Sequence, residues 1–193
     1  MSSLFFAALR LCLLLTLVTG GLYPLLTTWL GQSFFAEQAN GSLVSREGRV
    51  VGSALIGQPF TSAGYFWSRP SAVAYNGAGS GGSNLGPLNP QLGKAIADRI
   101  GRLGISANGV KVPVDLVTSS ASGLDPHLSP AAIYFQIPRV AKARQLTEGQ
   151  LRALIDGVIE PAPLGLLGRP VVNVLRLNLE LDRLAAVQTA ERP

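Results

Sequence analysis

Twenty-six consecutive residues without a charge, LCLLLTLVTGGLYPLLTTWLGQSFFA from Leu11 to Ala36, constrain this chain more than any other stretch. At about 1.5 Å per residue a helix of that length covers roughly 39 Å, more than the ~30 Å hydrocarbon core of a bilayer. Tilt, or a last turn in the headgroups, absorbs the excess. Arg10 can snorkel at the near end, and Tyr23 and Trp29 suit the interfacial belt at the far end. Gly20, Gly21 and Pro24 are tolerable in a membrane span, where they mark a kink or a close helix contact. The competing reading is a cleaved signal peptide, with residues 11–18 as its apolar region and Thr19-Gly20-Gly21 as the cut. Apolar sequence continues well past that point, which favours a retained anchor.

An anchor over residues 1–36, its transmembrane helix at about 11–31, leaves residues 37–193 as one soluble domain, long enough to bury a core. Positive charge flanks the run on both sides (Arg10 and the terminal amine before, Arg46 and Arg49 after), so charge bias does not decide orientation. The only cysteine, Cys12, lies inside the run. A thiol-free domain suits export, and the expected topology is N-terminus inside, domain outside. Net charge is +5, but only 14% of residues are charged and no basic stripe forms, unlike a nucleic-acid binder. With 22 glycines and 13 prolines the domain is expected to be rich in turns. The expected class is α+β: a transmembrane helix, then short strands and three to four helices.

Asn40-Gly41 and Glu47-Gly48 predict turns around a hairpin of residues 43–45 and 49–56, ended by Gly57-Gln58-Pro59. Residues 65–92 then run YFWSRPSAVAYNGAGSGGSNLGPLNPQL, three aromatics opening a long Gly/Ser/Asn loop. Aromatic area can pin such a loop, and its glycines can expose backbone amides to a phosphate. Ser80, Gly81, Gly82, Ser83 and Asn84 are therefore weak nucleotide candidates, although no Lys-Ser/Thr follows as in a Walker loop. Asn89-Pro90 opens a helix with Leu92, Ile96, Ile100 and Leu103 on one face and Gly104 as its stop. Its charged side chains, Lys94, Asp98, Arg99 and Arg102, read as a solvated face.

Residues 110–117 alternate like a strand, which Pro113 confines to an edge or a bulge. Ser119, Ser120, Ser122, Asp125 and the sole histidine, His127, resemble triad parts, but no Gly-x-Ser-x-Gly elbow occurs and the residues fit a turn. Asp125 and His127 lack the further His or Cys that a transition-metal site needs. Ser129-Pro130 predicts a helix over residues 131–137 that Pro138 kinks or breaks. Arg139, Lys142 and Arg144 read as a solvated face or a basic patch toward a partner. Thr147-Glu-Gly-Gln150 is a capping box ahead of Leu151, Leu154, Ile155 and Val158. Residues 160–170 read as a connecting loop. Alternation over residues 171–181 predicts a strand to about Asn178 and a short helical tail, fraying from Gln188.

The segments GSALIGQPF (52–60), YFWSRPSAVAYN (65–76), SGGSNLGPLNP (80–90), VPVDLVTSSASGLDPHLSP (112–130), RVAKAR (139–144) and VNVLRLNLELD (172–182) together resemble the KdpC subunits of bacterial Kdp potassium-transporting P-type ATPases. Ile137-Pro138 departs from the helix-compatible pair expected before RVAKAR. The resemblance implies a non-enzymatic accessory subunit of the bacterial cytoplasmic membrane. It would assemble and stabilise a potassium importer and act as a catalytic chaperone that raises ATP affinity. Implied partners are a channel-like potassium-translocating subunit, the ATP-hydrolysing P-type subunit and a small single-span subunit. The complex, rather than this chain, would handle ATP, Mg and potassium. Because nucleotide binds a P-type ATPase on the cytoplasmic side, an outside domain can act on ATP affinity only through conformation.

On that reading the expected partner contacts are Tyr65, Phe66, Trp67 and Arg69, with Asn76, Ser83, Asn84, Asp125 and His127 around them. Aromatics supply anchoring area and Arg69 a charge-assisted hydrogen bond. Two alternatives from other classes are a membrane-anchored serine hydrolase using Ser122 and His127, and a free-standing tethered binding domain.

Overall fold

The computed structural model describes residues 2–104 and 111–190. It divides into two compact units between Val51 and Gly52. In the first, α1 (Ser2–Leu17), a π turn (Val18–Leu22) and α2 (Tyr23–Phe34) form one continuous apolar helix. Its 32 residues from Ser3 to Phe34 are long and apolar enough to cross a membrane. The helix starts well before Leu11, because Arg10 is a single charge among Leu4, Phe5, Phe6 and Leu9. The π turn has a local cause. Pro24 has no N–H for the carbonyl one turn back, and its ring crowds that turn. Widening the ladder, with Tyr23 N–H bonding Val18 O, relieves the clash. Thr19 and Thr27 turn their hydroxyls onto the carbonyls of Leu15 and Tyr23 (2.7 and 3.0 Å), so neither hydroxyl depends on water for a partner. A short α3 (Ala36–Ala39) follows.

The expected hairpin forms, as β1 (Leu43–Arg46) and β2 (Arg49–Ser53). Glu47 and Gly48 both have positive φ (51° and 76°), the two-residue turn whose twist matches paired strands. The second strand stops at Ser53, short of Ile56.

In the second unit the core lies among four helices and a two-stranded sheet, confirming the α+β class. α4 (Pro90–Arg102) begins where Asn89 accepts from Gln91 N–H, and Gly104 ends it at φ +70°. Residues 111–117 do not form the expected strand: Val114–Leu116 is a 3-10 turn following Pro113, and residues 105–110 lie outside those described. β3 (His127–Leu128) leads into α5 (Pro130–Tyr134), capped by Ser129. The chain then restarts as α6 (Ile137–Arg144), with Pro138 in its first turn. The helix break therefore falls at Phe135-Gln136, ahead of the proline, where a missing N–H does no harm.

α7 (Glu148–Val158) packs against α5, α6, α8 and β4, burying Leu151 and Ile155 completely. Its capping box is complete, Thr147 Oγ1 accepting from Gln150 N–H (3.2 Å) and Gln150 Oε1 from Thr147 N–H (2.9 Å). Thr147→Ala is expected to destabilise the protein by about 1 kcal/mol, with Thr147→Ser close to wild type, read from thermal unfolding midpoints.

β4 is only Val172–Asn173, paired antiparallel with β3 (His127 opposite Asn173), and α8 (Val174–Ala190) follows directly. The strand expected to Asn178 is thus mostly helix. Val174, Leu177, Asn178 and Leu181 share the buried stripe, a helical spacing that overrides the alternation. The helix passes Gln188, where fraying was expected, and residues 191–193 lie outside those described.

Candidate functional site

The aromatic segment is bound into the domain by two side-chain amides. Asn178 on α8 accepts from Phe66 N–H (2.9 Å) and donates to Phe66 O (3.0 Å). Gln136 accepts from Trp67 N–H (2.8 Å) and donates to Trp67 O (3.2 Å). Each amide takes the place of a neighbouring strand for a segment that has none. Phe66 is completely buried in the helical core, so it is a core residue and offers no surface to a partner.

The basic run closes over the same segment, which corrects its reading as a solvated or partner-facing set. Arg139 donates to Ala63 O (2.7 Å), Tyr65 O (2.9 Å) and Gln136 Oε1 (2.6 Å), its guanidinium 3.9 Å from the Trp67 ring centre. Burial lowers its pKa to about 10, so it stays charged at neutral pH. Arg144 donates to Gly64 O (2.8 Å) and pairs with Asp182 (2.7 Å), lying 4.5 Å from the Tyr65 ring centre. The Tyr65 hydroxyl donates to the other Asp182 oxygen (3.0 Å). Only Lys142 of the three cations remains outward.

Arg99 on α4 also departs from its expected solvated place. It donates to Val117 O (2.6 Å) and Ser119 Oγ (2.9 Å), tying α4 to the turn after Leu116. Burial, with Arg102 as a second cause, lowers its pKa. Arg99, Trp67 and Tyr75 line a groove of about 530 Å³.

Arg69 pairs with Asp125 at 3.0 Å, and the second Asp125 oxygen accepts from His127 N–H (3.0 Å). The His127 ring stands 3.8 Å from Asp125 and 3.9 Å from Glu160, while Glu160 pairs with Arg176 (3.2 Å). Arg69, Asp125 and His127, expected together from sequence, do meet; Glu160 and Arg176 complete a charge chain that sequence reading missed. Ser122 Oγ accepts from Leu124 N–H (3.1 Å), closing a turn of the kind serine commonly makes, and the groups facing His127 are carboxylates.

The Gly/Ser loop lies along residues 120–123. Ser80 Oγ and Gly81 N–H both donate to Ser122 O (3.0 and 2.8 Å), so this amide is engaged within the chain. A Cβ on Gly82 would come 3.0 Å from Ala121 O, and one on Gly123 (φ +68°) 2.7 Å from Gly81 O. Close backbone approach explains these glycines without a phosphate. Asn76, Ser83 and Asn84 are exposed, Asn84 at φ 52°. Among the described residues no three His, Cys, Asp or Glu side chains gather as metal ligands.

A family model described as KdpC, K+-transporting ATPase c chain, matches residues 5–183 and so takes in both the apolar helix and the folded domain. Among relatives named potassium-transporting ATPase KdpC subunit, that of Geobacter metallireducens is 50% identical, covering 92% of this chain and 96% of its own. That of Klebsiella pneumoniae subsp. pneumoniae is 54% identical, covering 94% and 98%, and that of Burkholderia vietnamiensis 56%, covering 87% and 90%. With a match of that length crossing helix, clamp and charge chain alike, this chain belongs to the KdpC family, the c chains of K+-transporting ATPases.

Proposed function

We propose that this chain is a non-catalytic accessory subunit of an ATP-driven potassium importer, which it assembles and stabilises. Its helix spans the bacterial cytoplasmic membrane with the N-terminus inside and the domain outside. Its partners are the channel-like, ATP-hydrolysing and small single-span subunits. It raises the ATP affinity of the hydrolysing subunit by binding one pump conformation better than another. The observation that carries this reading is the unbroken family match from residue 5 to 183, anchor included. The use of Ser80 and Gly81 to bind Ser122 supports indirect over direct action on nucleotide. The half-buried Arg69, Asp125 and His127 and the exposed Asn76, Ser83 and Asn84 supply polar groups for subunit contact.

Topology is the test. A single cysteine at Leu88, which is 96% exposed, in a Cys12→Ser background is expected to react with a membrane-impermeant thiol reagent in intact cells. Protection until the membrane is broken would place the domain beside the nucleotide and overturn the indirect mechanism.

A further inference from the structure

No residue of α4 is fully buried, and Arg99 ties the helix to the domain through Val117 O and Ser119 Oγ. Those bonds use two of the five guanidinium N–H groups, so three remain. Arg102, nearly one turn further along α4, borders the same groove of about 530 Å³. The two like charges repel, and no carboxylate among the described residues pairs with either. The described lining holds no Asp or Glu. Ser71 adds a donor: its Oγ accepts from Val73 N–H (3.1 Å) and Tyr75 N–H (2.9 Å), which leaves its own proton to give. Phe60, Trp67 and Tyr75 supply apolar walls, and the Tyr75 hydroxyl is already bound to Arg69 O (2.8 Å).

We propose that this groove binds a small aromatic oxyanion, its carboxylate or phosphate held by Arg99 and Arg102 and its ring laid against Trp67 and Phe60. Volume and make-up are those of a small-molecule site, apolar and aromatic walls with a few convergent polar groups. Guanidinium groups hold such oxyanions through charge-assisted, often paired, hydrogen bonds. Each partial ligand leaves something unmatched. An inorganic anion satisfies the charges but leaves the rings in water, and so does a glutamate side chain of another protein. An uncharged ring covers the walls but leaves two guanidinium groups without a counter-charge. A ligand with both parts uses both. Once bound, it joins α4 to the aromatic segment across the groove and braces a helix that buries no residue of its own.

The full-length chain in detergent, carrying Trp29→Phe so that Trp67 is the single tryptophan, should be titrated with phenyl phosphate. A saturable change in Trp67 fluorescence is expected, with inorganic phosphate and benzyl alcohol each competing about tenfold more weakly. Arg102→Gln is expected to weaken phenyl phosphate about tenfold, with an unchanged unfolding midpoint. Lys142→Gln, outward on α6, is expected to bind as wild type does. Amide exchange in α4 should slow when phenyl phosphate is bound. Absence of a saturable response, equal competition by phosphate or ring alone, or wild-type binding by Arg102→Gln would overturn the site. Tighter binding of a blocked glutamate peptide than of phenyl phosphate would assign the arginines to an acidic segment of another protein and overturn it equally.

Discussion

Phe66→Ala is expected to lower the stability of the soluble domain by about 3–5 kcal/mol, a large share of the ~5–15 kcal/mol that holds a domain folded. The ring is completely buried and belongs to the cluster of Ile133, Ile137, Leu151, Ile155, Leu177 and Leu181. Its backbone is pinned on both sides by Asn178, so the segment cannot slide inward to fill the void. The cavity therefore persists, and the penalty falls at the upper end of the range for large-to-small substitutions. Trp67→Ala makes the contrast. That ring is half-buried beneath Arg139, and its loss removes a cation–π contact of about 1–2 kcal/mol while water can enter the space. Urea unfolding of both variants separates the cases. A Phe66→Ala midpoint equal to that of Trp67→Ala or higher would contradict the core assignment.

What could be read from sequence was what local chemistry decides. The apolar run, the Glu47-Gly48 turn and the caps at Asn89, Ser129 and Thr147 each depend on neighbours within a few residues, and all appear in the fold. The failures share a different cause. Leu175, Leu177, Leu179 and Leu181 satisfy an alternating pattern and a helical one at once. Asn178 falls on the polar side of the alternating pattern, yet it is buried because its partner is the backbone of Phe66, 112 residues away. Arg139 and Arg144 read as solvated for the same reason: the carbonyls they bind lie 74 to 80 residues earlier. A polar side chain that serves a distant backbone looks like surface until the fold is known.

The candidate site was legible in part by the same logic. Asp125 and His127 are two residues apart, so their turn is local, and Arg69 reaches them across the fold. Glu160 and Arg176 escaped because nothing near them in sequence marks a charge pair. The groove beside α4 escaped because Arg99 and Arg102 lie among charges that read as a solvated face. Only the fold brings Phe60, Trp67 and Tyr75 to them.

Asn178→Leu should reveal how much the amide clamp contributes. Leucine matches asparagine closely in shape, suits a helix somewhat better, and joins an apolar stripe with Leu177 and Leu181. On burial alone the substitution would stabilise. But Asn178 is 2% exposed and is the group that satisfies both the N–H and the C=O of Phe66. Each buried backbone group left without a partner costs about 1–3 kcal/mol, so a net loss of roughly 2–5 kcal/mol is expected after the gain in apolar contact. Asn178→Asp keeps the acceptor for Phe66 N–H but loses the donor and buries a carboxylate against Phe66 O, so it is expected to be no better at neutral pH. Gln136→Leu breaks the pair at Trp67 and also removes an acceptor of Arg139, but Trp67 and Arg139 are half-buried, so water can take the place of the amide and a smaller loss follows. Urea unfolding measures the order wild type, Gln136→Leu, Asn178→Leu, and amide hydrogen exchange at Phe66 should speed up only in the last. An Asn178→Leu protein as stable as wild type would mean that helix packing holds the aromatic segment without the clamp.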